Sequence, residues 1–213
     1  MSPPRKPRIV GAVAVGVVLL AIAILAPLAL LKREDEPTGT LFDFKVGTEW
    51  TYEKATSDAR SRVVVRVVGN EGGRVTTEHR TYEKDASEPA LVTTWVHYVE
   101  NGFLMQAGVN GGKMRTPFRL YKLGSRKGQT WKRLPDDKDG ELMKNLGLAD
   151  MRLPAGRFPR AVSLRWDRAT AVEDTALVPG VGLVQQEYVV KAQAGSPGGR
   201  LYVLRLAEFK PAP

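Results

Sequence analysis

Cysteine is missing from all 213 residues, and with it go disulfide staples, thiolate nucleophiles, cysteine-ligated zinc and the acylated cysteine of a bacterial lipoprotein. Histidine is almost as scarce. The two histidines, His79 and His97, fall inside alternating runs, His79 in phase with Val75 and Thr77 and His97 in phase with Leu91, Thr93 and Trp95. A zinc centre needs at least three converging ligands, so both would have to meet a carboxylate from another strand. Residues placed in strands without a metal role is the simpler reading, and neither a metal nor any other cofactor is expected.

The familiar catalytic and nucleotide motifs are absent as well. In Gly124-Ser125-Arg126-Lys127-Gly128 the serine is out of place for a Gly-x-Ser-x-Gly elbow, which also needs a strand-to-helix turn. The acidic stretch Asp136 to Glu141 fails as a calcium loop, because taking Gly140 as its sixth position puts Pro135 first and Leu146 twelfth. Gly180-Val181-Gly182 lacks the third glycine of a dinucleotide fingerprint and precedes a strand pattern. No block of five or more Lys/Arg occurs, so nucleic acid is not an expected partner.

What the chain does have, first, is a long apolar run. Residues 9–31, from Ile9 to Leu31, carry no charge, and as a helix 23 residues reach about 34 Å, enough for a bilayer core of about 30 Å. Arg5, Lys6 and Arg8 precede the run, whereas Lys32-Arg33 are followed at once by Glu34-Asp35-Glu36. Positive charge is therefore unopposed only on the N-terminal side, which predicts residues 1–8 in the cytoplasm, a single-pass signal anchor at 9–31 in the cytoplasmic (inner) membrane and an exported remainder. The lipid bilayer is then the first partner. Cleavage after Ala21-Ile22-Ala23, giving a secreted protein, is the competing reading; the apolar run continues well past that site. Residues 32–40 read as a short polar linker. Beyond residue 36 stand 27 Lys/Arg against 20 Asp/Glu, a net +7 that suits an anionic headgroup or wall surface.

From residue 41 to 213 the dominant signal is period-two alternation, the mark of antiparallel strands with one buried face. Val63, Val65 and Val67 share a face, as do Val162, Leu164 and Trp166, with Ser163, Arg165 and Asp167 on the other; near the end Tyr202, Leu204 and Leu206 repeat the pattern. Turn signals separate the runs. Asn101-Gly102 predicts a hairpin across Leu91 to Met105, since a type I′ turn needs positive φ at both central residues. About ten strands are expected, in a mainly β fold: a curved antiparallel meander forming a half-barrel or barrel. Pro135 to Leu153 breaks the alternation, with Leu142, Met143, Leu146 and Leu148 at helical spacing, and predicts one short inserted helix or ordered loop.

A Gly-x-x-Trp signature occurs twice, in Gly47-Thr48-Glu49-Trp50 (followed by Tyr52) and in Gly128-Gln129-Thr130-Trp131. Each aromatic follows a glycine turn at a strand start and can plug one end of the curved sheet, which points to two related sheet halves. The candidate ligand-binding residues, at the sheet interior or rim, are Trp50, Tyr52, Trp95, Trp131, Trp166 and Tyr202.

Four segments in order resemble a group of uncharacterised bacterial secreted proteins and lipoproteins: Phe42 to Tyr52, Gly128 to Trp131, Leu153-Pro154-Ala155-Gly156-Arg157-Phe158, and Val178-Pro179-Gly180-Val181-Gly182-Leu183-Val184. Those proteins carry patterns such as Gly-x-x-Trp-x-Tyr, Pro-Ala-Gly-x-Phe and Pro-Gly-Val-Gly-Leu-Val. The resemblance implies an exported β domain, a half-barrel akin to that of lipoprotein-localisation factors, and carries over no catalytic residue. This chain departs in having Asp43-Phe44 where proline-leucine is usual, and a membrane anchor where many relatives are lipidated or secreted. The expected role is thus non-catalytic binding of an apolar ligand or a partner protein of the envelope. The runner-up is a structural component of an envelope complex with a filled core, and an envelope hydrolase ranks third.

Overall fold

The computed structural model describes residues 44–136, 142–193 and 197–213. The anchor segment and linker lie outside the described residues. Within them the chain makes twelve antiparallel strands and no helix. The first six are β1 (Glu49–Ala55), β2 (Arg60–Glu71), β3 (Arg74–Glu83), β4 (Leu91–Glu100), β5 (Phe103–Val109) and β6 (Gly112–Lys122). The second six are β7 (Thr130–Lys132), β8 (Leu142–Leu153), β9 (Gly156–Asp167), β10 (Ala171–Val178), β11 (Gly182–Val190) and β12 (Gly199–Lys210).

All twelve belong to one sheet, ordered β6-β5-β4-β3-β2-β1-β12-β11-β10-β9-β8-β7. Two six-stranded meanders therefore meet where β1 pairs with β12, and each meander opens on a Gly-x-x-Trp turn, with Gly47 at φ 99° and Gly128 at φ 86°. The free edges approach each other. The Arg119 amide of β6 donates to the Arg133 carbonyl just beyond β7 at 2.8 Å, so the sheet curls into a nearly closed barrel. Strand registers place one set of turns, including residues 44–48, Asn101-Gly102, 123–129, 154–155 and 179–181, at a common end, here called basal. The turns at 56–59, 110–111 and 168–170 lie at the upper end.

The predicted hairpin is present, with β4 and β5 joined at Asn101 (φ 50°) and Gly102 (φ 75°), and Asn110-Gly111 repeats the same geometry between β5 and β6. The expected helix is not. From Leu142 the segment is strand β8, whose buried positions Met143, Asn145 and Gly147 follow period two. Its inward side is disguised by a polar residue and a glycine, and its register shifts between Asn145 and Gly147 and again between Ala149 and Met151. Those two breaks carried the leucines into helical spacing. Asn145 is buried at no polar cost: its amide donates to the Ser125 carbonyl (2.8 Å) and hydroxyl (3.0 Å), and its carbonyl oxygen accepts from the Gly147 amide (2.7 Å).

The basal end is sealed by three of the motif segments together. The Trp50 indole donates to the Val181 carbonyl at 2.5 Å and the Tyr52 hydroxyl to the Leu183 carbonyl at 2.9 Å, which ties the β1 aromatics to the Pro-Gly-Val-Gly-Leu-Val turn. The Pro-Ala-Gly tip of the β8–β9 hairpin folds back across the barrel, and its Ala155 amide reaches the Leu206 carbonyl of β12 at 3.1 Å. Phe44, Met151, Leu153 and Phe158 then pack on the cluster of Trp50, Tyr52, Val65, Val67 and Leu206. Burial of such side chains contributes about 1.5–3 kcal/mol each, so this end is the firmest part of the barrel.

Candidate functional site

Above the basal plug the interior is not filled. Eight strands close on an interior that side chains can just fill; twelve enclose more, and the inward residues here include short ones such as Val63, Val65, Thr77 and Thr175. The result is a cavity of about 420 Å³ running from Phe44 and Leu183 near the basal end to Trp95, Arg133 and Tyr202 near the upper end. That volume is within the range of small-molecule sites. Trp95 and Tyr202, on the upper side of the cavity, are only partly buried.

The lower wall is mostly apolar, built by Trp50, Val65, Leu104, Leu177 and Leu183, with the His97 ring stacked on Phe44. The upper wall carries a polar cluster. Arg133 donates from Nη1 to Glu173 Oε2 at 3.1 Å, Gln186 donates from Nε2 to Glu173 Oε1 at 2.9 Å, and the Tyr202 hydroxyl donates to Gln186 Oε1 at 3.2 Å. Both members of the ion pair are buried, with side chains 13% and 10% exposed. The Arg133 guanidinium also lies 3.9 Å from the Trp166 ring centre and 5.3 Å from that of Phe118. Burial, followed by the Glu173 charge, pushes the Tyr202 hydroxyl up to about 12, so it is a donor throughout the physiological range.

Among the residues that line the cavity, Gln106, itself 5% exposed, and Arg133 each keep a buried donor without a partner among the described residues, Nε2 and Nε respectively. Phe118 is the register partner of Gln106, and its ring centre lies 5.3 Å from the Arg133 guanidinium.

Of the aromatic candidates, Trp50, Tyr52, Trp95 and Tyr202 line the cavity. Trp131 and Trp166 are placed elsewhere. Trp131 is core, packed edge-on against Tyr121 at 6.2 Å, and Trp166 is clamped between Arg133 and Arg168. The sequence reading missed Arg133, Glu173, Gln186 and Gln106. For Glu173 a signal existed: it is the one acid in phase with Ala171, Thr175 and Leu177 on β10.

His79 and His97 both face the cavity. His79 shares a hydrogen bond with the Thr77 hydroxyl at 3.1 Å and sits 5.9 Å from the Trp95 ring, while His97 stacks on Phe44 at 6.4 Å. No cluster of three His, Asp or Glu suited to a metal occurs among the described residues. Ser125 is fully buried and engaged with Asn145 rather than with a histidine.

Burial lowers both histidines from 6.5 to about 4, and for His79 the charge of His97 adds to the effect. A folded value below the unfolded one means that the unfolded chain binds more protons between those limits. Stability is then full above pH 6.5 and falls as the pH drops toward 4, by up to about 3 kcal/mol per histidine. Urea midpoints across this window are expected to fall more steeply for the native protein than for the His79→Gln/His97→Gln double variant. Equal slopes would show that the histidines titrate normally in the fold.

A scan against protein-family models and a search of the curated proteins find no match to this chain.

Proposed function

We propose that this protein is a non-catalytic binding protein of the cell envelope, held to the cytoplasmic membrane by residues 9–31, whose exported β domain carries a largely apolar small molecule inside its barrel. The observation that carries this reading is the cavity of about 420 Å³, apolar below and polar above. A structural component with a filled core has no use for such a void, which costs contact energy along its whole lining. The hydrophobic run and its asymmetric charge flanks support the anchor, and the net +7 beyond it suits work beside anionic headgroups.

Native mass spectrometry of the full-length protein, extracted from its own membranes, tests this directly. A discrete co-purifying lipid or other apolar molecule is expected. It should be lost when the cavity is filled by Thr175→Leu with Val65→Phe. A stoichiometric protein partner with no small molecule would favour the structural reading instead.

A further inference from the structure

We infer that the occupant of the barrel is a lipid whose head is uncharged and rich in hydrogen-bond acceptors, such as an ester or amide carbonyl, seated between Gln106 and Arg133. This rests on the carrier reading above and names the class of ligand.

Charge and donor count lead to it by separate routes. At the seat one cation and one anion are in direct contact, Arg133 and Glu173, and Glu173 has both oxygens occupied, one by Arg133 and one by Gln186, while Lys54, a further cation of this end, sets its ammonium over the Tyr202 ring at 5.4 Å from its centre. The paired groups at the seat are thus neutral in themselves. The histidines add no compensating charge at neutral pH, since burial holds both in the uncharged form. A ligand carboxylate would enter with its charge uncompensated in a buried site, which is strongly unfavourable. A neutral head meets no such penalty.

Donors are what the wall has to spare. Gln106 Nε2 and Arg133 Nε are buried without partners among the described residues, and a buried donor carries a desolvation penalty until something accepts from it. Carbonyl oxygens accept; hydrocarbon does not. The lower wall of Trp50, Val65, Leu104 and Leu183 takes the tail. The partly buried rings of Trp95 and Tyr202 stand on the upper side.

The test is a competition in one tube. Full-length protein in amphipol is mixed with equimolar tetradecanoic acid and its glycerol monoester at neutral pH, and native mass spectrometry reads the ratio of the two complexes. The ester complex is expected to exceed the acid complex by about tenfold or more, the equivalent of about 1.4 kcal/mol. Glu173→Gln leaves Arg133 unneutralised and should move the ratio toward the acid by a similar factor. Gln106→Leu keeps the charges and removes one seat donor; it should weaken the ester several-fold without loss of stability, and so decides the matter should Glu173→Gln fail to fold. An acid complex equal to or above the ester in the native protein overturns this inference and leaves the carrier standing. No complex with either lipid overturns both.

Discussion

Trp50→Ala is expected to destabilise the barrel by about 3–5 kcal/mol, among the largest losses any single truncation in this chain should produce. Trp50 is 4% exposed, packs on Val65, Val184 and Leu206, and lies 5.8 Å from the Phe209 ring. Its indole also satisfies the Val181 carbonyl, so the smaller change Trp50→Phe should still cost about 1–3 kcal/mol by orphaning that acceptor. Trp131 provides the internal control. It is as deeply buried, at 5% exposed, but its indole nitrogen has no partner among the described residues. Trp131→Phe therefore removes a liability along with some volume and should cost clearly less than Trp50→Phe. Urea denaturation of the variants decides it. Equal losses for the two phenylalanine variants would mean that the Trp50–Val181 bond contributes nothing, and that the two Gly-x-x-Trp turns are energetically equivalent.

That contrast also shows how far the sequence speaks. The strands were legible wherever inward positions were uniformly apolar: Val162, Leu164 and Trp166 alternate without a fault, and β9 follows them. The hairpin at Asn101-Gly102 was legible because its turn chemistry is local. Strand β8 was not, because Asn145 and Gly147 occupy inward places: Gly147 donates to the Asn145 side chain, and Asn145 donates in turn to Ser125, a residue twenty positions away whose role no local pattern announces. The same holds for the cavity. Tryptophan and tyrosine could be nominated as interior by type, and four of the six candidates line the void, but whether a ring meets empty space or Tyr121 depends on strand number and curl. Arg133 stands in no strand pattern at all; the pairing of β7 with β8 and the closing bond from Arg119 bring it to the wall. Charged residues that work inside a barrel look, in sequence, like charged residues on its surface.

Arg133 is accordingly where the second large effect is expected. Arg133→Met keeps apolar bulk against Trp166 and Phe118 while stripping the partner from Glu173, and should cost about 3–5 kcal/mol, the usual result of leaving one member of a buried pair alone. The exposed pairs of the outer face predict the opposite scale: Arg157 with Asp150 is 63% and 48% exposed, and breaking it should leave the urea midpoint essentially unchanged. The decisive measurement is the double-mutant cycle. If the penalty of Arg133→Met is the uncompensated charge of Glu173, then Arg133→Met with Glu173→Leu should recover most of it, because two apolar groups replace two buried ions. Stability from urea unfolding should then lie within about 1–2 kcal/mol of the native protein. Should the double variant instead be as unstable as the sum of its parts, the pair is holding the β7 edge against β10 through packing alone. The internal neutrality from which the ligand class was argued would then lose its energetic basis.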